Sequence, residues 1–254
     1  MSENTSVDLG AAEQKNRRLF FAWAAVLPLL VMIVGVALAH FEVLPAFRGF
    51  LIYVLAGLVS ILHTALLLLM RWVLPAKPPV KIILSAAFPA LIVVASASSG
   101  MGYPPINDVT TDLSSPPEFD AVANLPDNAD RDMSFPSDFV ETIRESYPQL
   151  SPFHLVGPQP TREEMFDIAL NVAKEEPGWS LLRIDETNGM IEGTAQTWLF
   201  RFKDDFAIRV REVDGNTVLD MRSKSRDGKG DLGANAKRID QFIARVRSRL
   251  HAGS

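Results

Sequence analysis

The sequence has 254 residues, of which 48% are hydrophobic and 22% are charged, and its formal net charge is −5. It contains no cysteine, which excludes disulfides and thiolate-ligated zinc sites. Charge is unevenly distributed, since residues 103–254 hold 18 Lys and Arg against 26 Asp and Glu. Domains that bind nucleic acid carry a basic footprint, so this acidic region argues against a nucleic-acid partner.

Three long apolar runs occupy residues 19–41, 49–70 and 80–98. A bilayer core about 30 Å thick needs roughly 20 apolar residues in a helix, so each run is long enough to cross once. We therefore predict a tail over residues 1–18 and a three-helix transmembrane anchor over residues 19–98.

Lysine and arginine in the short loops predict the orientation of this anchor. Basic residues precede the first run and separate the second from the third: Lys15, Arg17, Arg18, Arg71, Lys77 and Lys81. The loop between the first two runs has only Arg48. This distribution predicts a multi-pass protein of the bacterial inner membrane, with a cytoplasmic amino terminus and a periplasmic carboxy-terminal domain.

Residues 99–160 are predicted to form an extended, proline-rich segment that packs on the domain following it. Ten of the seventeen prolines lie in residues 103–160. Proline fixes φ and removes an amide donor, which disfavours regular structure. A short helix is predicted over residues 138–146, where the prolines are interrupted.

Regular structure is predicted over residues 161–254. Thr161 and Glu164 have the spacing of a capping box, and apolar residues then recur with helical period to about residue 175. Four strands follow, joined by turns that include Asn188-Gly189 and Asp214-Gly215; they cover residues 179–185, 190–202, 205–213 and 216–225. A last helix is predicted over residues 231–250. The fold class is therefore α+β: three transmembrane helices, then a four-stranded antiparallel meander flanked by helices.

Two-residue turns throughout would give the sheet one apolar and one charged face. The apolar face would include Leu182, Ile184, Phe206, Ile208, Val210, Leu219 and Met221. On the charged face, Arg209 would lie opposite Asp220 on one neighbouring strand and Trp198 on the other.

We predict ligand-binding residues on this charged face and in a polar cluster near residue 110. They are Trp198, Arg209, Arg211, Asp220, Arg222, Asp108, Thr111 and Asp112. The alternative is a ladder of cross-strand ion pairs that stabilises the sheet without binding a ligand. No metal site and no cofactor are predicted.

Two other motifs suggest chemistry. Residues 228–233 spell the dinucleotide fingerprint G-x-G-x-x-G, but they lack the parallel βαβ context that it requires. Asp231 would instead cap the last helix. The neighbouring Lys224, Arg226 and Lys229 either hold an anionic group, such as a phospholipid head, or form a solvated basic turn.

A catalytic alternative is a cell-envelope hydrolase or other enzyme that uses Asp108, Thr111, Asp112 and either Ser223 or Ser225. This hypothesis requires residues 108–112 to lie within hydrogen-bond reach of Ser223 in a closed pocket. If that segment instead runs along the edge of the sheet, a binding or structural role is favoured.

Several stretches carry a family resemblance. Residues 106–119 read INDVTTDLSSPPEF, and the later stretches read FKDD at 202–205, IRVR at 208–211, DMRSKSR at 220–226 and DLGANAKR at 231–238. They resemble a bacterial domain-of-unknown-function family, of the DUF1499 type, fused here to a membrane anchor. The resemblance implies a domain boundary but no activity. We expect a membrane-anchored periplasmic module that binds a partner protein, a lipid or another amphiphile.

Overall fold

A computed structural model describes residues 23, 25–75, 77–155 and 160–252 of the chain. These residues divide into two compact units. The helical unit comprises the described residues up to Met101 together with Leu199–Arg201. The α+β domain comprises Gly102–Trp198 and the described residues from Phe202 onward.

The helical unit contains three apolar helices: α1 over Ala25–His40, α2 over Ala46–Val73 and α3 over Val80–Gly100. Pro45 and Pro79 immediately precede α2 and α3, positions where the missing proline amide costs no helical hydrogen bond. Both helices are long and apolar enough to cross a membrane, and only 28% of each apolar window is buried. Buried core helices of soluble proteins hide far more of their surface. The two helices therefore indicate association with a membrane.

The prediction of three spans is only partly matched. The described part of the first run is a helix shorter than a bilayer crossing, and the rest of that run lies outside the described residues. α2 and α3 pack closely where Gly57 faces Val93: a Cβ atom on Gly57 would lie 2.1 Å from Val93 Cγ2. Small residues permit such close approach of helices in membranes.

The α+β domain is built on a five-stranded antiparallel sheet in the order β1-β5-β4-β3-β2. The strands are β1 (Asp108–Thr110), β2 (Trp179–Asp185), β3 (Met190–Gln196), β4 (Lys203–Val213) and β5 (Asn216–Ser225). The helices are α4 (Phe139–Ser146), α5 (Arg162–Glu175) and α6 (Ala234–Ala252), with a short 3-10 helix at Pro126–Asn128. The α+β class is thus correct, but the predicted strand count of four is wrong.

The apolar face of the sheet forms one core with α5 and α6. Ile191, Phe206, Ile208, Leu219 and Met221 are fully buried there, beside Met165 and Phe166 of α5 and Ile239 and Phe242 of α6. The predicted capping box opens α5, since Thr161 Oγ1 accepts from Glu164 N at 3.1 Å and Glu164 Oε2 accepts from Thr161 N at 2.8 Å.

A β-bulge in β2 overturns the predicted burial of Leu182. The pairing shifts between Leu181 and Arg183, so the alternation of side chains changes at that point. Trp179 and Leu181 consequently pack on the core, whereas Leu182 is half exposed. Ile184 pairs with the buried Ile191 and so stays on the apolar face, as predicted, but its side chain is also half exposed.

The connection between β3 and β4 also differs from the prediction. β3 ends at Gln196 rather than at residue 202, and a loop, not a two-residue turn, leads to β4 at Lys203. Arg209 therefore pairs with Met190 instead of Trp198, while its predicted pairing with Asp220 is confirmed. The Asp214-Gly215 turn is also confirmed, with positive φ at both residues.

Candidate functional site

Acidic and basic side chains converge on the sheet face opposite α5 and α6. We call this surface the charged sheet face; it comprises Arg183, Glu192, Asp205, Arg209, Arg211, Asp220, Arg222, Lys224 and Asp108. Residues 112–135 of the proline-rich segment cover this face, and we call them the covering segment. Asp108, Glu192, Asp205 and Asp220 are fully buried, and Arg222 is only 2% exposed.

Asp108 and Arg222 form the central ion pair of this face. Arg222 Nε donates to Asp108 Oδ1 at 3.0 Å and Arg222 Nη2 donates to Oδ2 at 2.7 Å, which is the two-pronged geometry preferred by a guanidinium and a carboxylate. Lys224 Nζ donates to the same Oδ2 atom at 2.9 Å. One buried carboxylate thus pairs with two buried cations.

Arg222 also connects the sheet to the proline-rich segment. It donates to the carbonyl oxygens of Pro117 at 3.3 Å and Met133 at 3.0 Å. Its guanidinium carbon lies 4.4 Å from the ring centroid of Phe119 and 5.4 Å from that of Phe135. The arginine that sequence reasoning assigned to a ligand therefore contacts this chain's own covering segment on several sides.

Asp112 and Asp220 share two arginines at the more open end of the face. Arg209 Nη2 lies 3.2 Å from Asp112 Oδ2 and 2.9 Å from Asp220 Oδ2. Arg211 contacts the same two carboxylate oxygens at 2.5 and 2.8 Å. Burial acts to raise the pKa of Asp112, but hydrogen bonds from Ser114 and Ser115 outweigh it and the pKa is lowered.

Two further carboxylates bind the covering segment directly. Glu192 Oε2 accepts from the backbone amides of Asp120 at 2.9 Å and Val122 at 3.2 Å. Asp205 accepts from Asn128 Nδ2 at 2.9 Å and from Arg131 Nη1 at 3.1 Å. Each of these bonds joins groups at least 70 residues apart in sequence.

The remaining predicted residues do not lie on this face. Thr111 continues the pairing of β1, because its amide donates to Met221 O and its hydroxyl accepts from Met221 N, both at 3.0 Å. Trp198 lies in the loop after β3 and is 77% exposed. The structure thus brings the arginines and aspartates of the predicted ligand-binding set together but not Trp198. The ligand-binding role predicted for these residues stays a prediction.

The catalytic set is not brought together. Residues 108–110 form the edge strand β1, in which Val109 pairs with Ser223 and Asp108 pairs with Lys224. Alternation along a strand then places Ser223 and Asp108 on opposite faces of the sheet. Ser223 Oγ lies instead 2.7 Å from Asn235 Oδ1 of α6 and 2.9 Å from Arg238 Nη1.

The basic turn is also engaged by this chain. Lys224 binds Asp108, as described above, and Arg226 contacts Asp205 at 2.7 Å and Asp127 at 2.8 Å. Asp231 accepts from the amides of Gly233 and Asn235, each at 2.8 Å, so its carboxylate occupies the position that a phosphate would need at the start of α6. The dinucleotide pattern is therefore a helix cap.

A separate pocket, which the sequence did not reveal, has a volume of about 370 Å³. We call it the α6 pocket; its walls include Tyr103, Ser146, Tyr147, Gln149, Lys237 and Asp240. Gly233 also lines it, with a φ of 79°, and a Cβ atom there would lie 2.4 Å from the Tyr103 ring. The glycine thus permits the aromatic ring to lie against the chain at the start of α6.

Tyr147 supplies a buried hydroxyl to this pocket wall. The residue is 5% exposed, and its hydroxyl has no hydrogen-bond partner among the described residues. Burial, assisted by the charges of Asp231 and Tyr103, raises the pKa of Tyr147 to about 12. The hydroxyl therefore keeps its proton and is a buried donor without a partner among the described residues.

A family described as "Protein of unknown function (DUF1499)" matches residues 108–246, which is more than half of the chain. The chain belongs to the DUF1499 family. The resemblance noted in the sequence is thereby confirmed for the α+β domain, while the fused three-span anchor is not. No curated protein matches the chain.

The DUF1499 match begins at β1 and ends inside α6. It therefore includes the whole charged sheet face and all the strands that carry it. The α6 pocket is only partly included, because Tyr103 precedes the matched region and Lys237 and Asp240 lie within it. The pocket of this DUF1499 chain thus combines family residues with a wall supplied by the preceding segment.

Proposed function

We propose that this protein is a membrane-anchored binding module of the bacterial inner membrane, whose α+β domain lies in the periplasm and holds a lipid or another amphiphile. The anchor would consist of α2, α3 and the first apolar run at residues 19–41. The proposal assigns the protein no catalytic reaction, in keeping with the separation of Asp108 and Ser223 onto opposite faces of the sheet.

The orientation follows from the basic residues of the loops. Arg71 lies in the last turn of α2, Lys77 in the loop that follows and Lys81 at the start of α3, whereas Arg48 is the only basic residue between the first two apolar runs. Cytoplasmic loops carry the excess of lysine and arginine, so the loop between α2 and α3 belongs in the cytoplasm. The chain that follows α3 then emerges on the periplasmic side.

The observation that carries a binding role is the α6 pocket, whose residue Tyr147 has a buried hydroxyl with no hydrogen-bond partner among the residues that the structure describes. Buried polar groups normally have hydrogen-bond partners, and a group without one points to a ligand or a bound water. A volume of about 370 Å³ lies within the range of small-molecule sites, roughly 300–1,000 Å³. The pocket would admit the polar end of an amphiphile but not a pair of long acyl chains.

For the charged sheet face we propose a supporting role. Its carboxylates and guanidiniums bind residues 112–135 at several points, and that segment lies between the chain regions that supply β1 and α4. By fixing the segment, the face would also fix α4 and Tyr147 directly after it.

Native mass spectrometry of the full-length protein, released from membranes in mild detergent, tests the binding role. We expect a bound species of lipid mass that survives purification. Protein that is ligand-free, and that takes up no lipid added in excess, would contradict the proposal. Alkaline phosphatase and fluorescent-protein fusions at Ser254 test the orientation: phosphatase activity with a dark fluorescent fusion is expected, and the opposite pattern would place the domain in the cytoplasm.

A further inference from the structure

The α6 pocket carries two opposite charges within one helical turn. Lys237 and Asp240 are both exposed, both line the pocket, and lie three residues apart on α6. Residues at this spacing are neighbours on a helix surface. Within the described part of the chain neither residue forms an ion pair. The two charges are thus available to a ligand that carries both signs.

The anionic half of such a ligand would lie beside Lys237 and Tyr147. Lys237 is an exposed cation in the first turn of this 19-residue helix, whose amino-terminal amides are capped by Asp231, so the lysine side chain itself would bind the anion. The protonated Tyr147 hydroxyl is a neutral donor on the same pocket wall. A phosphate has oxygens for both groups, and it would supply an acceptor for the Tyr147 hydroxyl, which has none among the described residues.

The cationic half would lie beside Asp240 and the aromatic wall. Tyr103 is 47% exposed, and the face of a tyrosine ring attracts an ammonium group. Ser146 is the last residue of α4, so the carboxy-terminal end of that helix, which favours positive charge, also borders the pocket. The Asp240 carboxylate, the Tyr103 ring and the carboxy-terminal end of α4 therefore all favour a positively charged group.

From these observations we propose that the α6 pocket binds a zwitterionic group composed of a primary amine and a phosphate, as in phosphoethanolamine. The phosphate would bind Lys237 and Tyr147, and the amine would bind Asp240 and Tyr103. This inference deepens the proposed function and rests on it. The same chemistry occurs in a phospholipid head group and in the free phosphoamine, so the test includes both sources.

Binding of short-chain phosphatidylethanolamine, short-chain phosphatidylglycerol and free phosphoethanolamine is measured by native mass spectrometry titration of the full-length protein in detergent. The variants are Tyr147→Phe, Lys237→Gln and Asp240→Asn, with Lys174→Gln as a control on the exposed surface of α5. We expect Tyr147→Phe and Lys237→Gln to weaken phosphatidylethanolamine binding about ten- to hundredfold, as for loss of a hydrogen bond to a charged group. Asp240→Asn should weaken it without affecting phosphatidylglycerol, and Lys174→Gln should change nothing.

Tyr147→Phe removes only a hydroxyl that has no partner in the described part of the chain, so the thermal midpoint of the unliganded protein should not fall. Free phosphoethanolamine that binds as tightly as the lipid would support the zwitterion chemistry and assign a soluble source. Phosphatidylethanolamine binding that is unchanged in all three pocket variants overturns this inference but leaves lipid binding intact. Phosphatidylglycerol that binds as well as phosphatidylethanolamine overturns the requirement for an amine. Absence of any lipid binding, in the parent as in the variants, would instead remove the proposed function.

Discussion

The buried ion pair between Asp108 and Arg222 makes a strong prediction about stability. Asp108→Asn keeps the size of the side chain but removes the negative charge that pairs with Arg222 and Lys224. Both cations are more than nine-tenths buried, so water cannot replace the lost carboxylate. Removing one partner of a buried pair costs about 3–5 kcal/mol, because the other charge is left uncompensated.

This loss can be measured as a thermal shift of the full-length protein. For a chain of this size, 1 kcal/mol corresponds to a change of about 2–4 °C in the midpoint, so Asp108→Asn should lower the midpoint by roughly 6–20 °C. Intrinsic fluorescence reports on the core, since the Trp179 ring centroid lies 4.2 Å from that of Phe206.

The matched control is Glu141→Gln, which breaks an ion pair with Arg144 between side chains that are 64% and 59% exposed. Exposed pairs contribute little, so this variant should melt like the parent. A second comparison combines Asp108→Asn with Arg222→Met, which should cost less than the sum of the two single changes because the uncompensated guanidinium is gone. An Asp108→Asn variant that melts within about 2 °C of the parent would refute the conclusion that this buried ion pair stabilises the domain.

Three further changes test other parts of the structure. Hydrogen bonds from Asn188 hold the pKa of Asp185 at about 2, against an ordinary value of 3.8, so its contribution to stability is present above pH 3.8 and is lost as the pH falls toward 2. When the thermal midpoint is plotted against pH, Asp185→Asn should therefore reduce the fall of the midpoint in acid. An unchanged fall would contradict this prediction. Gly57→Ala should destabilise the helical unit by about 1–3 kcal/mol through overpacking against Val93, as measured by thermal unfolding in detergent. The double variant with Val93→Ala should recover most of this loss, and a double variant without recovery would exclude the contact with Val93 as its cause. Thr161→Ala should lower the free energy of unfolding by about 1 kcal/mol in a denaturant titration, whereas Thr161→Ser should be close to neutral; equal losses would exclude the capping hydroxyl as the cause.

Local signals in the sequence predicted the local structure well. The capping box at Thr161 and the turn at Asp214-Gly215 involve residues within a few positions of each other, and both are present. The apolar alternation of β4 and β5 likewise indicated their pairing, including Arg209 with Asp220. These features depend on short-range geometry that a single sequence contains.

The errors arise where a distant partner decides the outcome. β1 is only three residues long, which is too short for a recognisable strand pattern in the sequence. It forms because its backbone pairs with the edge of β5, more than 110 residues later in the chain. The bulge near Leu182 and the early end of β3 depend on packing across the sheet rather than on turn residues. The α6 pocket joins chain regions around Tyr103, Tyr147 and Lys237, so no contiguous motif encodes it.

The edge of β5 that faces away from β4 is paired by the short strand β1 and by other segments of the same chain. Asn107 accepts from the amide of Ser225, Thr111 pairs with Met221, and Phe153 exchanges both backbone hydrogen bonds with Leu219. Unpaired strand borders invite a second molecule to add its own strand, which leads to aggregation. Here that border is occupied from Leu219 to Ser225 by the same polypeptide. The other edge of the sheet is β2, where the bulge near Leu182 makes the spacing of donors and acceptors irregular, so that a foreign strand would pair poorly there.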